Sequence, residues 1–471
     1  MSNFDPTPEQ QAALDAFATG GNMVIEAGAG TGKTSTLRLL AESTDRTGIY
    51  IAYNKAIATD ASSSFPSNVQ CRTAHSLAFR EVGVKYKHRL NGPRVTSRET
   101  VAILGIPVGG FDLNDEQSFP AWIIARLAMD TVGRFCNSAD TEITERHVPR
   151  TPGVEEHHVL ASYVLPFARK AWEDILSTDG RLRFQHDHYL KIWALGNPKL
   201  KCDFVLLDEA QDANPVIAGI VENQDHAQKI MVGDRCQAIY GWRGAVDAMS
   251  NFACDHRLIL SKSFRFGPAI AEQANIWLGL LDAPLRLEGF DAISSVVDTL
   301  TDPDAILCRT NASVIENAMQ AQAVGKRVAI VGGTGEIQKF TEAARDLMQG
   351  QTSSHPDLIA FKNWDEVVEY ANGDEGADLR VMVKLIVNYG VDAILEVCAN
   401  SVDERSADLI VSTAHKSKGR EWDRVLVSND FAMSQNDDGE ISPTEMMLIY
   451  VTVTRAKLVL DNSALGLPVT A

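Results

Sequence analysis

Ala27-Gly28-Ala29-Gly30-Thr31-Gly32-Lys33-Thr34 follows the apolar run Met23-Val24-Ile25 and leads into Ser35-Thr36-Leu37-Arg38-Leu39-Leu40, whose apolar residues recur at helical spacing. A strand, a glycine-rich turn and a helix in that order make a cradle for phosphate. Small residues let backbone N–H groups approach the oxygens at the positive end of the helix. Lys33 is then placed to reach the β- and γ-phosphates and Thr34 to hold Mg2+, with Ser35 next to it. One departure is visible: Ala27 stands where the usual pattern has its first glycine. A glycine-rich turn carrying a surface lysine is the competing reading, and the flanking strand, the helix and the Gly-Lys-Thr ending outweigh it.

At 471 residues the chain has room for two or three domains. With 45% hydrophobic and 23% charged residues it can build sizeable cores. It contains no run of about 18 or more apolar residues, so no membrane span is expected. Met1-Ser2-Asn3-Phe4-Asp5 lacks the basic and apolar regions of a signal peptide. Seven scattered cysteines without a C-x-x-C pair fit reduced thiols better than a disulfide framework or a zinc site. The expected location is therefore cytoplasmic, in a bacterial cytosol or nucleoid or a phage-infected cell. A net charge of −18 argues against a protein that simply coats nucleic acid, though not against a local basic channel.

Along the chain, Pro6 to Phe17 reads as a capped helix with Gln10 near its start. Short apolar strands then alternate with helical stretches: 49–53, 69–71, 204–207, 229–232 and 258–260 in the first half, 305–308, 328–331, 409–412 and 425–427 in the second. This alternation predicts α/β architecture with parallel sheets covered by helices on both faces. It lapses into helix-like sequence between about 85 and 186, for example at 119–135 and 158–176, and again between about 336 and 405. The first lapse opens with Lys85, Lys87, His88, Arg89, Arg94 and Arg98 and closes with Arg181 and Arg183. Two basic patches bracketing one insertion in so acidic a chain point towards phosphate contact, with a solvated face as the alternative.

The strand Phe204-Val205-Leu206-Leu207 ends in Asp208-Glu209-Ala210-Gln211-Asp212. Its carboxylates emerge at the carboxyl end of the sheet, where α/β proteins bind ligands. Asp208 is placed to hold Mg2+ and Glu209 to orient or deprotonate the attacking water. An isolated Asp-Glu pair would read as a cap; beside a phosphate loop it reads as hydrolytic. Val232-Gly233-Asp234-Arg235-Cys236-Gln237 repeats the strand-to-polar pattern, and Gln237 suits sensing of a γ-phosphate. Tyr240 and Trp242, followed by Arg243, offer aromatic faces beside a cation, where each stacked base is worth roughly 1–3 kcal/mol. Buried structural aromatics are the open alternative there.

In this order the segments resemble the superfamily 1A DNA helicases of the UvrD, Rep and PcrA type, and most of all the helicase portion of the F-box DNA helicases. The resemblance covers nearly the whole chain. It implies two RecA-like P-loop domains, each with a mainly helical insertion, ATP held between them and single-stranded DNA crossing their tops. The implied division is 1–84 and 187–262 for domain 1A around an inserted domain 1B at 85–186. Domain 2A would comprise 263–335 and 406–471, around a reduced 2B-like insertion at 336–405. Gln10 matches the adenine-reading glutamine, and Ala is usual at the position of Ala27. Asn54 and Lys55, then Thr73 and His75, match DNA-contacting motifs of the first domain. Asp208, Glu209, Gln211 and Gln237 match nucleotide-site positions, and Trp242 is the base-stacking candidate.

In the second half, Arg265 of Ser263-Phe264-Arg265 resembles the arginine that reaches the γ-phosphate. Ser412 to Trp422 resembles a motif binding DNA through Thr413 and His415 and nucleotide through Gly419 and Glu421. Arg455 of Tyr450-Val451-Thr452-Val453-Thr454-Arg455-Ala456-Lys457 matches the arginine finger, worth about 10³–10⁵ in rate. The β-branched run 451–454 has strand propensity, but the family places it on a helix, and Met446, Ile449, Tyr450 and Val453 recur at helical spacing within 445–457.

The expected function is Mg2+- and ATP-dependent helicase or translocase activity, 3′-to-5′ on single-stranded DNA, in replication, repair or recombination. Expected partners are single-stranded DNA, single-strand/duplex junctions and recombination or replication proteins, with the chain itself a monomer. A remodelling regulator that strips recombinase from DNA without productive unwinding is the alternative, because the second insertion is short. A phosphoryl-transfer kinase is a weaker third.

Overall fold

The computed structural model describes residues 5–90, 92, 95–114, 117–151, 154–239, 247–353, 355, 357–358, 361–372, 377–431 and 441–466. The chain divides into two units. One comprises Met1–Ala27 with Gly32–Leu260, the other Gly28–Thr31 with Ser261–Ala471.

The first unit is built on β1 (Met23–Ala27), β2 (Gly48–Ala52) and β3 (Val69–Thr73). After a small antiparallel hairpin of β4 (Phe111–Asp112) and β5 (Ser118–Phe119) come β6 (Phe204–Leu207), β7 (Gln228–Gly233) and β8 (His256–Leu260). Six of these strands form one sheet in the order β3-β2-β6-β7-β1-β8, every pairing parallel. Side chains alternate between two cores, as the period of two along a strand requires. Met23, Ile25, Tyr50, Phe204, Leu206, Ile230 and Val232 face the helices Pro8–Ala18 and Lys33–Glu42 through Ala13, Phe17, Leu37 and Leu40. Val24, Ile49, Ile51, Val205, Leu207 and Met231 face the other way, in one continuous core with the helices Ala121–Cys136 and His157–Leu176. The first insertion thus shares its core with that side of the sheet.

Arg89 leaves the expected basic surface. It is buried, and its guanidinium donates to the carbonyls of Asp174, Ile175, Ser177 and Leu182, closing the end of the helix His157–Leu176. Lys85, Lys87, Arg98, Arg181 and Arg183 remain exposed. Tyr86 stacks on Phe184 at 4.5 Å, and His88 meets the Thr178 carbonyl at 2.9 Å, so the two basic brackets become spatial neighbours. Arg94 lies outside the described residues.

The second unit carries β9 (Val296–Val297), β10 (Ala305–Cys308), β11 (Val328–Ile330), β12 (Leu409–Thr413), β13 (Trp422–Val427) and β14 (Ala456–Asp461). They too form a fully parallel sheet, in the order β11-β12-β10-β13-β14-β9. Its inserted helices, Trp364–Asn372, Ala377–Tyr389 and Val391–Ala399, share one core with Cys308, Val328, Ile330, Leu409 and Val411 of the sheet. The fold is thus the expected pair of RecA-like α/β sheets, each with a mainly helical insertion.

The run 451–454 resolves in favour of the helix. Ser442 caps Pro443–Val453 by accepting from the Glu445 amide, and the helix buries Leu448, Ile449, Tyr450, Val451 and Val453. Its helical spacing does not extend to Lys457, because the chain turns at Thr454 and enters β14. Tertiary burial outweighs β propensity here. Among the described residues, no helix is long and apolar enough to cross a membrane.

Candidate nucleotide site and nucleic-acid interface

β1 delivers the loop at its carboxyl end, and Gly32, at φ 80°, starts the helix Lys33–Glu42 in the left-handed region that favours glycine. Lys33 Nζ donates to the Ala27 carbonyl at 3.1 Å. Thr34 Oγ1 donates to Asp208 Oδ2 at 3.3 Å, which joins the loop helix to the end of β6. Ser35 is exposed one residue further on.

Asp208 is only 5% exposed. Its Oδ1 accepts from the Glu209 amide at 2.9 Å and its Oδ2 from the Tyr50 hydroxyl at 2.5 Å. Burial, and then the charge of Glu209, push the Asp208 carboxyl above its ordinary range, while Tyr50 and Lys33 oppose the shift. Burial beside Asp208 raises the Tyr50 phenol strongly.

Glu209 has φ 51°, in the left-handed region that β-carbon residues rarely occupy. A relay holds it there. Gln211 Nε2 donates to Glu209 Oε2 at 2.5 Å, and Gln211 Oε1 accepts from the Asp234 amide at 3.0 Å. Gln237 Nε2 donates to Asp234 Oδ2 at 2.6 Å. Thr34, Asp208, Glu209 and Gln237 are thus brought to the carboxyl ends of β1, β6 and β7. Arg235, for which the sequence offered no role, bonds Glu26 Oε2 at 2.8 Å and so pairs a carboxylate buried within β1.

Gln10 serves the helix cap in this structure. Its amide oxygen accepts from the Thr7 N–H at 3.0 Å, and its Nε2 donates to Thr36 Oγ1 at 3.2 Å.

Asn54 caps the helix Lys55–Ser64 through the Ile57 amide, with Lys55 exposed at its first position. Thr73 ends β3 and caps the next helix through the Ser76 amide. His75 Nε2 lies 2.9 Å from Asp187 Oδ1, and this contact is the main cause holding the Asp187 carboxyl below its ordinary range. A cavity of about 490 Å³ at the ends of β2, β3 and β6 is lined by Tyr53, Thr73, His75 and Asp187 together with Asp208 and Glu209. Candidate DNA residues and candidate hydrolytic carboxylates share one space. Tyr240, Trp242 and Arg243 lie outside the described residues.

In the second unit, Arg265 Nε donates to Glu421 Oε2 at 2.6 Å and its Nη1 to the Thr454 carbonyl at 3.1 Å. Arg455 is 1% exposed and donates to the carbonyls of Val451 and Arg420 and to Thr454 Oγ1. Thr454 therefore links the two arginines. Gly28 to Thr31 belong with this unit: the Ala29 amide donates to the Tyr450 hydroxyl at 3.2 Å, and the Gly30 carbonyl accepts from the Phe264 amide at 2.8 Å.

Thr413 ends β12 and caps the short turn of helix that carries His415, and Gly419 follows at φ 81°. Thr73-Ala74-His75 and Thr413-Ala414-His415 thus give each unit the same strand-end cap with a histidine two residues on. Sequence reasoning missed Tyr50, Asp187, Asp234 and Thr454. The Thr-Ala-His repeat was a readable signal; for the others the partners lie between 23 and 189 residues away.

A family profile described as an AAA domain matches residues 10–243. F-box DNA helicase protein 1 of Schizosaccharomyces pombe is 28% identical, across 97% of this chain and 57% of its own length. F-box DNA helicase 1 of Gallus gallus is 30% identical, across 97% of this chain and 49% of its own length. The chain spans about half the length of these curated relatives. A solved structure concerned with DNA unwinding at forked duplex DNA by two coordinating Pif1 helicases covers 97% of this chain and 92% of that chain. Its 13% identity and TM-score of 0.36 are too low to inform the fold. The resemblance to F-box DNA helicases therefore runs along nearly the whole chain, while the UvrD, Rep and PcrA type is not singled out. The bacterial or phage location expected from the sequence is overturned, because both curated relatives are eukaryotic, from fission yeast and chicken.

Proposed function

We propose that this chain is an ATP-dependent DNA helicase or translocase moving 3′-to-5′ on single-stranded DNA, acting at single-strand/duplex junctions in replication, repair or recombination. The observation that supports it best is the Thr34–Asp208 contact, beside Glu209 held by Gln211. A hydroxyl and a carboxylate are hard oxygen donors, the set that suits Mg2+. Thr34 and Asp208 would hold that ion, which when bound neutralises phosphate charge. Lys33, Ser35 and the amides of Gly28 to Gly32 would bind the ATP phosphates, Gln10 the base, and Gly419 and Glu421 the remainder of the nucleotide. Glu209 would orient water, Gln237 would sense the γ-phosphate, and Arg265 and Arg455 would offset the charge that develops on it.

For DNA we infer contacts from Asn54, Lys55, Thr73, His75, Thr413 and His415, with Tyr240, Trp242 and Arg243 proposed from the motif alone. The cavity shared by His75 and Glu209 gives strand binding a short route to the hydrolytic carboxylates. We read 1–84 and 187–262 as domain 1A, 85–186 as 1B, 263–335 and 406–471 as 2A, and 336–405 as a reduced 2B. The test is the ATPase rate with single-stranded DNA, duplex or RNA across a salt series, beside unwinding of a tailed duplex. Hydrolysis indifferent to single-stranded DNA sinks the reading.

A second reading, a remodeller that strips recombinase without productive unwinding, is favoured by one feature. The inserted helices 364–399 share their core with the second sheet rather than building a core of their own. A filament-disruption assay run beside the unwinding assay separates the two.

A further inference from the structure

β2 reads Gly48-Ile49-Tyr50-Ile51-Ala52 and lies between β3 and β6, with Tyr50 opposite Cys71 on one side and Leu206 on the other. A strand covered on both faces is ordinarily apolar throughout. Tyr50 is fully buried, its ring packed on Phe65 at 4.8 Å, yet its side chain ends in a hydroxyl. That hydroxyl is 2.5 Å from Asp208 Oδ2, the oxygen that also receives Thr34 Oγ1 at 3.3 Å. The other carboxylate oxygen is held by the Glu209 amide. A phenylalanine would fill the same core volume, so packing does not account for the oxygen. Its geometric effect is to fix the plane of the Asp208 carboxylate, with Oδ2 turned to the loop helix.

We propose that Tyr50 is a positioning residue for the divalent cation of this site, orienting Asp208 towards Thr34 and so setting metal affinity without touching the nucleotide. The assignment rests on the nucleotide-site reading above and deepens it. A hydrogen bond to a charged acceptor is among the stronger kinds, and losing it weakens the function it supports by about tenfold or more.

The experiment is equilibrium binding of a fluorescent ADP to wild type and to Tyr50→Phe, in EDTA and across a Mg2+ titration. In Tyr50→Phe the metal-free affinity is expected to match wild type, while the Mg2+ concentration giving half the metal-dependent gain rises by about tenfold. Unchanged Mg2+ dependence overturns the proposal. So does an equal loss in EDTA, which marks a purely structural role. A wild-type protein that binds no ADP overturns the nucleotide-site reading instead, and the two failures are distinguishable. Should Tyr50→Phe not fold, 3-fluorotyrosine at position 50 keeps the hydroxyl and provides a 19F signal. That signal should move when Mg2+ is added to the ADP complex, and a signal that stays still overturns the proposal.

Discussion

Gln211 holds Glu209: its side-chain amide donates to Glu209 Oε2 at 2.5 Å, while the Glu209 backbone stands at φ 51°. A carboxylate on a left-handed residue keeps its aim only if something distal fixes it, and the other end of Gln211 is anchored on the Asp234 amide at 3.0 Å. In Gln211→Ala, hydrolysis should fall by about 10- to 100-fold with nucleotide affinity within about twofold of wild type, since misplacing a reacting group by an ångström costs on that order. Single-turnover hydrolysis beside equilibrium binding checks this. A parallel loss of affinity would contradict it.

Lys33→Ala should abolish DNA-stimulated hydrolysis. Arg455→Ala should cripple turnover while sparing nucleotide binding, and it should also lower thermal stability by about 1–3 kcal/mol, because Arg455 is 1% exposed and serves the Val451 and Arg420 carbonyls. ATPase assays with thermal denaturation separate these effects. Retained strand separation in either variant would refute the assigned roles.

Arg89 and the exposed lysines and arginines near it should part company. Arg89→Met removes a guanidinium that serves four carbonyls and should destabilise the protein by about 3 kcal/mol, while leaving the salt dependence of DNA-stimulated hydrolysis unchanged. Lys85→Ala with Arg183→Ala should do the reverse, flattening the logarithmic salt slope by about 0.7 for each phosphate of single-stranded DNA that is no longer neutralised. Urea denaturation and a salt series on the same variants decide between the two roles.

His188 supplies a pH dependence of stability. Burial lowers it to about 4 from its ordinary 6.5, with Asp187 opposing and Arg89 assisting. Its Nδ1 accepts from the Gln185 amide at 3.0 Å, which a doubly protonated ring cannot do. The folded state thus binds fewer protons than the unfolded one between those values. The stabilisation, about 3 kcal/mol, is complete above about pH 6.5 and is lost as pH falls through about 4. Urea midpoints at several pH values should show this loss, and His188→Gln should show much less of it.

The sequence made most of the two parallel sheets legible because most of their strands are short apolar runs ending in a turn, a signal confined to a few neighbouring residues; β9, two residues long, and β14, directly after a helix, were not indicated. The loop at 27–34 and the Asp208-Glu209 pair were legible for the same reason. Tyr50 was not, since within β2 it reads as one more bulky strand residue, and its partner lies 158 positions away. Arg89 was misread for a related reason. A run of basic residues looks uniform in sequence, and only the approach of the chain near 174–182 shows which one turns inward. At 451–454, propensity pointed to a strand, and burial of Val451 and Val453 within the second unit decided for a helix.

The insertions have no interior of their own to retreat into. Ile124, Phe135, Leu160 and Val164 lie in the same apolar mass as Val24, Ile49 and Val205, and Ile394 and Val397 in the same mass as Val328 and Val411. Excising either insertion would open that shared apolar mass, so these segments are ribs rather than detachable modules. Cooperativity follows from that: within each unit, insertion and sheet should melt together in one step rather than separately.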